Sequence, residues 1–465
     1  MKNILAINKV ISSIVWGWPM IILLLTSGIL LFIISKALVL RKIGYIFSNT
    51  FLKMFEKDNG KEGDLTPFQA VSTALAATVG TGNIVGVAMA IAVGGPGAIF
   101  WLWLSAFFGM STKFAEVTLA IAYREKNQKT GAYVGGPMYY LKNGLGSKTL
   151  GSIFAFFAAI SAFGIGNLTQ ANSIAISLNT SFGLDPKITG AILLILTAGV
   201  IMGGIKRIGE FTSKLVPFMA LFYILASLAI IITNFDKVLP ALASIFQTAF
   251  NPSAAFGGVV GASMKIAMKE GISKGLFSNE AGLGSGPIAH ATAKTDHPVR
   301  QGMWGVFEVI VDTFIICTLT ALVILVTGLW DSGLGGAALT TQSFSKGFFA
   351  GGYIVSIGLA LFAFSTILGW YYYGEKSTEY LFGSKVASYY KFIFIPLVFV
   401  GSVGGLEAIW AISDTMNGLM ALPNLIGLIF LIPTTIGLSK DFFKDPDRIR
   451  KSDQEFAHLL QGKNK

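Results

Sequence analysis

Two short stretches of the chain place glycines and polar side chains in the middle of long apolar segments. The first is Thr78–Asn83, TVGTGN, inside an apolar segment that runs from 66 to 94, and the second is Gly275–Gly286, GLFSNEAGLGSG. Glycine and threonine weaken a helix, and at membrane depth every freed backbone N–H or C=O group needs a partner. A bound solute or ion can be that partner. The pattern therefore indicates that exposed backbone groups bind a small polar ligand within the membrane.

The composition places these stretches in a membrane protein. Hydrophobic residues make up 53% of the 465 residues and charged residues only 13%, with a mean hydropathy of +0.67. A soluble chain of this length could not present that balance to water. The single cysteine, Cys317, lies in an apolar run, so no disulfide framework is expected, and one Cys with three His offers no metal cluster. The net charge of +11 is scattered over loops and the tail, which predicts no nucleic-acid partner.

The hydropathy pattern predicts an all-α membrane protein with eleven transmembrane helices. A helix needs about 20 apolar residues, each rising 1.5 Å, to cross the hydrocarbon core. The segment 187–204 is short for this, and 257–294 is too long and too polar to be one simple span. The predicted spans are 15–39, 66–94, 97–123, 150–180, 187–204, 211–233, 257–294, 300–328, 352–379, 390–411 and 415–438.

Loop charges predict the orientation, because lysine and arginine collect on the cytoplasmic side. The loops after every odd-numbered span are basic, as Arg41, Lys42 and Lys53 show in the first of them, and so is the tail. The intervening loops hold only Lys187, Lys237 and Lys346. We therefore expect a multi-pass protein of the cell membrane with its N-terminus outside and its C-terminus in the cytoplasm.

The spans divide into an extra helix and two sets of five. Residues 1–65 form the predicted extra helix and its cytoplasmic loop, residues 66–235 and 236–438 form two five-helix repeats, and residues 439–465 form a cytoplasmic tail. The repeats start on opposite sides of the membrane, and each begins with an interrupted span. Inverted repeats with paired broken helices are typical of transporters that bind their substrate near the bilayer midplane.

Three motifs also carry a family resemblance. They are ATVGTGNIVGVAMAIAVGGPGAIFWLW, GGPMYYL and GLFSNEAGLGSGPIAHATAKTDHPVRQG. The chain resembles the alanine or glycine:cation symporter family, whose members are amino acid carrier proteins, over nearly its whole length. The resemblance implies a leucine-transporter-type fold, and import of alanine or glycine together with sodium, or with a proton in some members. It implies no cofactor beyond the co-transported ion, and no obligate protein partner is evident.

A zwitterion of alanine size needs N–H donors for its carboxylate and acceptors for its ammonium. The N–H groups of Gly80, Thr81 and Gly82 open the second half-helix, where the helix dipole favours an anion. Carbonyls from Ala76 to Val79 end the first half-helix and suit a cation. The alternative is that the glycines only allow close helix packing. Packing alone does not require Thr78, Thr81 and Asn83 as well.

Other spans supply further candidate ligands of the substrate. Gln170 lies on a polar stripe of the span 150–180, and its alternative role is a hydrogen bond between helices. We expect Phe277 to form an apolar wall and Asn279 a polar contact. Thr366 and Trp370 share one face of the span 352–379, although Trp370 could instead belong to an interfacial aromatic belt.

The cation site follows from the resemblance to the recurring sodium site of this fold. It implies that the hydroxyls of Ser365 and Thr366 join the carbonyls of Ala76 and Val79, and Asn83 is a further candidate ligand.

Three carboxylates within the predicted spans have no assigned role. Glu280 follows the second interruption and either binds a solute or caps the broken backbone. Glu308 and Asp312, at positions i and i+4, are candidates for a second cation site or a proton relay.

The sequence thus predicts a secondary active symporter that works by alternating access. A proton-coupled transporter or exchanger on the same fold is the nearest alternative. A channel would show a repeated carbonyl filter or charge ring, and an enzyme would show a catalytic arrangement of side chains. Neither pattern is visible in the sequence.

Overall fold

The computed structural model describes residues 2–54, 62–250, 264–404, 407–450 and 455–460. The predicted all-α membrane fold is confirmed, because long apolar helices build the described part of the chain. The strands within it, Glu125–Lys126 (β1) and Tyr133–Val134 (β2), form one short antiparallel hairpin.

The described residues of the first half of the chain form thirteen α-helices. They are α1 Lys2–Val15, α2 Trp18–Ile34, α3 Leu38–Arg41, α4 Ile43–Thr50, α5 Pro67–Thr78, α6 Val87–Gly94, α7 Ala98–Ala122, α8 Pro137–Asn143, α9 Lys148–Phe163, α10 Thr169–Phe182, α11 Pro186–Ile201, α12 Gly204–Thr233 and α13 Val238–Phe250.

The second half adds α14 to α22. They are α14 Met264–Asn279, α15 Gly286–His290, α16 Pro298–Val309, α17 Thr318–Val326, α18 Gly336–Gly347, α19 Gly351–Phe382, α20 Ser384–Val403, α21 Glu407–Phe430 and α22 Ile432–Lys444. Three π-helical segments, Gly82–Gly86, Gly164–Leu168 and Ile310–Cys317, join α-helices within one span. Short 3₁₀ turns cover Phe51–Lys53, Phe235–Lys237 and Ala457–Leu459.

The helices are consistent with eleven spans. Seven helices of the described chain are long and apolar enough to cross a membrane, and two bent pairs raise the number to nine. Helix α11 is short, and α14 with α15 forms a further interrupted segment. Residues 257–263 of the predicted seventh span lie outside the described residues. The division into two five-helix repeats stays a prediction.

Both predicted interruptions occur. Helix α5 ends at Thr78, Val79 is extended, and the helical segment that restarts at Gly82 is bent by 50° from α5. In the second half, the interruption is Glu280–Ser285, within the stretch Gly275–Gly286 that the sequence indicates. Glu280 has a left-handed φ of 55°, and Gly282 and Gly284 have φ values of 91° and 86°. The chain turns where glycine permits this conformation.

Helix α14, in the predicted span that is too long and too polar to be simple, packs closely on α7. One face of it carries Ala267, Gly271 and Gly275, which are buried. A Cβ on Gly271 would lie 2.1 Å from Ala98 O, and one on Gly275 would lie 2.4 Å from Ser105 Oγ. Small residues thus allow the backbone of α14 to contact α7, as in other membrane helix pairs. The charged residues of the segment lie on the rest of the helix surface.

Two of the predicted spans near the C-terminal end have wrong boundaries. The spans 390–411 and 415–438 correspond to α20 and α21, which begin and end several residues earlier. Helix α22 then makes an angle of 57° with α21. Apolar residues continue through the bend, so hydropathy does not show it. Gly404, with a φ of 92°, ends α20, and Pro433 lies in the first turn of α22.

A buried ionic cluster joins α7, α15 and α16. Lys113 Nζ lies 3.1 Å from Glu308 Oε1, and His290 Nε2 lies 3.0 Å from Glu308 Oε2. Gln301 Nε2 lies 2.8 Å from His290 Nδ1. Glu308 thus has Lys113 and His290 as its partners, and the role of Glu308 and Asp312 as a second cation site or a proton relay stays a prediction.

We expect Lys113→Met to destabilise the protein strongly, because it leaves the Glu308 carboxylate buried without its cation. Breaking such a pair costs about 3–5 kcal/mol. The double variant Lys113→Met/Glu308→Gln removes both charges and should recover much of the loss. The measurement is the melting temperature of the purified protein in one detergent. A double variant less stable than Lys113→Met would contradict this account of the pair.

Candidate functional site

A small pocket lies where the interruption between α5 and α6 faces the end of α14. It has about 310 Å³ of empty volume, including the open space at its mouth. Its walls come from both interruptions and the helix ends beside them, from the π-helical segment Gly164–Leu168 and α10, and from α19 and α21. The lining residues are Ala77, Thr78, Gly80, Thr81, Gly82, Ile165, Gln170, Phe277, Glu280, Thr366, Trp370 and Asn417. Eight of the nine residues that the sequence suggests for a substrate site are among them.

Backbone donors form one side of the pocket. Thr81 and Gly82 open the second half-helix, and the first N–H groups of a helix have no partner within it. Gly80 differs from the expectation, because its N–H donates to Asn83 Oδ1 at 2.9 Å. Thr81 and Gly82 therefore remain as the donors available to an anionic group.

Unpaired amide oxygens form the opposite side. Gln170 Nε2 donates to Ile165 O at 3.0 Å within the π-helical segment, while Gln170 Oε1 is buried without a partner in the described structure. Asn417 Oδ1 of α21 is also buried and unpaired there. Sequence reasoning missed Asn417, whose signal would have been an amide inside an apolar span. The two oxygens are suited to accept hydrogen bonds from an ammonium group.

Glu280 also faces the pocket. Its side chain is 4% exposed, and Ser285 Oγ donates to its carboxylate. The residue therefore lies in the interruption, bonds across it and contributes to the pocket wall, while its role as a solute ligand stays a prediction. Its left-handed φ is unusual for a residue with a side chain, and such strained positions cluster at functional sites.

The predicted cation ligands lie next to the same interruption. Ser365 Oγ donates to Ala76 O at 3.1 Å, which joins α19 to the last turn of α5. A Cβ on Gly80 would lie 2.6 Å from Thr366 Oγ1. The two hydroxyls and the end of the first half-helix are thus adjacent. Val79 is fully buried at this end but does not line the pocket.

The amide nitrogen of Asn83 belongs to a second polar cluster. Its Nδ2 donates to Asp312 Oδ1 at 2.6 Å and lies 3.3 Å from Cys317 Sγ. Ser278 Oγ donates to Asp312 Oδ2 at 2.9 Å, and Thr313 Oγ1 donates to the same oxygen at 2.8 Å. Asn83 therefore links the interruption of α5 to a buried carboxylate rather than to the two hydroxyls of α19.

Asn279 is the one predicted substrate ligand that does not line the pocket. Its Nδ2 donates to Thr313 Oγ1 at 3.1 Å, and its Oδ1 accepts from Ala281 N at 3.0 Å. The side chain closes the end of α14 and is turned toward α16 and α17. The neighbouring Phe277 does line the pocket, and its ring makes an edge contact with Trp16, centroid to centroid 6.1 Å.

Each of the three π-helical segments in the described residues lies next to one set of the polar groups described above. Gly82–Gly86 follows the donors, Gly164–Leu168 receives the Gln170 amide, and Ile310–Cys317 contains Asp312. A π-helical turn shifts the side chains that follow it around the helix, and such turns are frequent at functional sites.

Comparison with known proteins identifies the family. The profile of the sodium:alanine symporter family matches residues 1–457. The chain belongs to the sodium:alanine symporter family. This excludes the enzyme and channel alternatives, because the family consists of transporters.

Individual members of the family are similar over almost their full length. The sodium/alanine symporter AgcS of Methanococcus maripaludis is 48% identical over 463 residues, which covers 98% of this chain and 100% of AgcS. The probable sodium/glutamine symporter GlnT of Bacillus subtilis is 36% identical over 437 residues, covering 93% of this chain and 89% of GlnT.

A solved structure supports the fold. The crystal structure of MhsT in complex with L-phenylalanine superposes with a TM-score of 0.50 at 13% identity, covering 81% of this chain and 98% of MhsT. The predicted leucine-transporter-type fold is confirmed by this likeness, which concerns the fold alone.

We expect Gly80→Ala to abolish uptake of the transported solute by this family member. The added Cβ would lie 2.6 Å from Thr366 Oγ1, and such overpacking costs about 1–3 kcal/mol. Gly86→Ala is the matched control, because a Cβ there meets nothing within 4 Å. The measurement is radiolabelled uptake into liposomes at equal protein content. Uptake by Gly80→Ala equal to that of the Gly86→Ala control would contradict the close contact between the interruption and α19.

Proposed function

We propose that the protein is a secondary active symporter that imports alanine and glycine together with sodium by alternating access. One observation carries the proposal. Free backbone donors, unpaired amide acceptors and the hydroxyl pair of α19 all meet at the interruption of α5. A relative that is 48% identical and named a sodium/alanine symporter supports the same solute and ion.

The two sides of the pocket suit the two ends of an amino acid. The substrate carboxylate would accept from the N–H groups of Thr81 and Gly82. Its ammonium would donate to Gln170 Oε1 and Asn417 Oδ1, with the Glu280 carboxylate nearby. Each charged end of the zwitterion then has hydrogen-bond partners. These charge-assisted hydrogen bonds offset the free-energy cost of removing the zwitterion from water.

Bulky side chains limit the size of the substrate. Phe277, Trp370 and Ile165 line the pocket, and Trp370 is held in place because it packs directly against Gly166, where a Cβ would lie 2.2 Å from Trp370 Cβ. Bulky walls favour a substrate with only hydrogen or a methyl group on its α-carbon, which supports alanine and glycine over glutamine. An apolar cup distinguishes one methylene by only about 1–3 kcal/mol, so both small substrates are expected to be carried.

The sodium site would use Ser365 and Thr366 with the carbonyls of Ala76 and Val79. Hydroxyl and carbonyl oxygens are hard ligands that suit an alkali cation. The ion would contact the carbonyl end of the first half-helix, which the helix dipole also makes favourable. Its binding would hold α5 against α19 and so complete the wall of the substrate pocket. Whatever sodium adds to substrate affinity, the substrate then adds to sodium affinity.

The proposal is tested with purified protein in liposomes that accumulate labelled alanine under an inward sodium gradient, with a protonophore present. Uptake that stops when potassium replaces sodium supports sodium symport. Uptake that persists without sodium and stops with the protonophore would refute it in favour of proton coupling. Competition by unlabelled glycine and lack of competition by glutamine test the size limit of the pocket.

We predict that Ser365→Ala raises the sodium concentration for half-maximal alanine uptake by about tenfold or more. The substitution removes one oxygen ligand, and contacts to a charged group contribute about 1.5–3 kcal/mol. Ser377→Ala is the matched control on α19, because its buried hydroxyl has no partner among the described residues. An unchanged sodium dependence in Ser365→Ala would remove this residue from the cation site.

A second cation site is supported by the cluster around Asp312. A fully buried carboxylate lies among the side chains of Asn83, Ser278 and Thr313, and through Asn83 it is bonded to the interruption of α5. A second sodium ion or a proton held at Asp312 would act on the start of the second half-helix. The same cluster would carry the coupling in the alternative, proton-coupled mechanism.

We predict that Asp312→Asn lowers the Hill coefficient for sodium from about two to about one, because the Hill coefficient is bounded by the number of coupled sites. If protons couple there instead, uptake by the variant becomes independent of the proton gradient. Asp414→Asn, which makes the same change on α21, serves as the control. Sodium and pH dependence that both match the control would exclude Asp312 from coupling.

A further inference from the structure

A second, larger cavity lies apart from the transport pocket and shares no lining residue with it. It has about 950 Å³ of empty volume, including its open side. Helix α2, the short helix α3, the middle of α7 and the bent helix α22 enclose it. Its apolar walls include Leu31, Val39, Phe114 and Ile436.

Its open side is basic. Lys36, Arg41 and Lys440 line the cavity, and all three are exposed. In the described residues, none of the three forms an ion pair with a carboxylate. Asp441, which follows Lys440, is bonded to Arg450, with Arg450 Nη2 3.0 Å from Asp441 Oδ2. An uncompensated cluster of cations therefore surrounds the mouth of an apolar cavity.

The backbone holds two of these cations at the mouth. Helix α2 ends at Ile34, and Lys36 and Ala37 both have left-handed φ values, 55° and 54°. This turn directs the chain into α3, which carries Arg41 in its last turn. Two consecutive left-handed residues with side chains are costly, so the surrounding structure must stabilise the turn.

A polar group lies deeper in the cavity. Ser111 lines it, is 4% exposed, and its Oγ is buried without a partner in the described structure. Ser111 precedes the end of α7 at Ala122 by eleven residues, which corresponds to about 16 Å along the helix. The cavity thus combines basic side chains with apolar walls and one buried, unsatisfied hydroxyl well inside the span of α7.

We propose that this cavity binds one anionic phospholipid of the cytoplasmic leaflet. Three cations match a phosphate-containing anionic headgroup, the Ser111 hydroxyl can donate to an ester carbonyl of the glycerol region, and the apolar walls take an acyl chain. The cytoplasmic leaflet carries the anionic lipids, and each nearby lysine or arginine adds to their binding. The bound lipid connects α2 and α22 to α7, the helix that contacts α14 of the second broken pair.

The test uses the full chain, purified and analysed by native mass spectrometry with added phosphatidylglycerol or with phosphatidylcholine of the same acyl chains. Wild-type protein is expected to retain one phosphatidylglycerol and to prefer it over phosphatidylcholine. The triple variant Lys36→Gln/Arg41→Gln/Lys440→Gln should lose this binding by roughly tenfold or more. Lys187→Gln/Lys237→Gln/Lys346→Gln, which removes the same charge from the opposite loops, should bind like wild type.

Melting temperature supplies a second measurement that does not depend on mass spectrometry. Phosphatidylglycerol should raise the melting temperature of the wild type and of the control triple variant. It should not raise the melting temperature of the triple variant at the cavity mouth. If both triple variants lost phosphatidylglycerol binding equally, the binding would depend on the total charge of the protein, and the proposed site would be wrong. Equal retention of phosphatidylcholine, or the same stabilisation by inorganic phosphate alone, would overturn the assignment to an anionic lipid.

Discussion

The structure depends on how the backbone groups freed at the two interruptions are satisfied. Asn83 accepts from Gly80 N, and Asn279 accepts from Ala281 N. Glu116 accepts from Gly282 N at 3.1 Å, and Asn424 Nδ2 donates to Gly282 O at 2.9 Å. Because side chains of the broken helices themselves and of α7 and α21 satisfy these backbone groups, the interruptions are stable in the membrane. The N–H groups at Thr81 and Gly82 remain, and they form the donor side of the pocket.

The sequence predicts where the interruptions lie, because clustered glycine, threonine and asparagine weaken a helix inside an otherwise apolar span. It also predicts most of the pocket lining, since Thr78, Gln170 and Thr366 are polar residues on otherwise apolar segments. It does not predict which polar residue binds the solute and which one supports the backbone. Asn83 and Asn279 have the same chemistry as Asn417, and only their distances to Gly80, Ala281 and the pocket separate the two roles.

Other structural features could not be predicted from the sequence, for a physical reason. A π-helical turn differs from an α-helical one by a single residue, and no composition signals it, so the direction of the side chains after Gly164 or Ile310 could not be derived. The sequence also did not show which carboxylate forms the ion pair with Lys113. Glu116 is close in sequence, but Glu308 is the ion-pair partner, because the packing of α16 on α7 decides the contact. Hydropathy likewise placed the ends of α20 and α21 too late, since apolar residues continue into α22.

The hydrogen bonds also indicate which helices can move together. Inside the membrane, the charged contacts of Lys113 with Glu308, of Glu116 with Gly282 and of Asn83 with Asp312 all join members of the set α5–α7 and α14–α17. Among the described residues, the contacts from this set to α12 and α19 are made by neutral hydroxyls, namely Ser365 to Ala76, Thr73 to Thr212 and Tyr223 to Thr320. Hydrogen bonds to charged groups contribute about 1.5–3 kcal/mol and neutral ones about 1 kcal/mol. The boundary of this set with α12 and α19 therefore has the weaker hydrogen bonds, whereas α21 is bonded to Glu116 through Asn424 Nδ2 at 2.6 Å. In the proposed alternating-access mechanism, the set would separate at the boundary with α12 and α19, and a cation at Ser365 would strengthen that boundary.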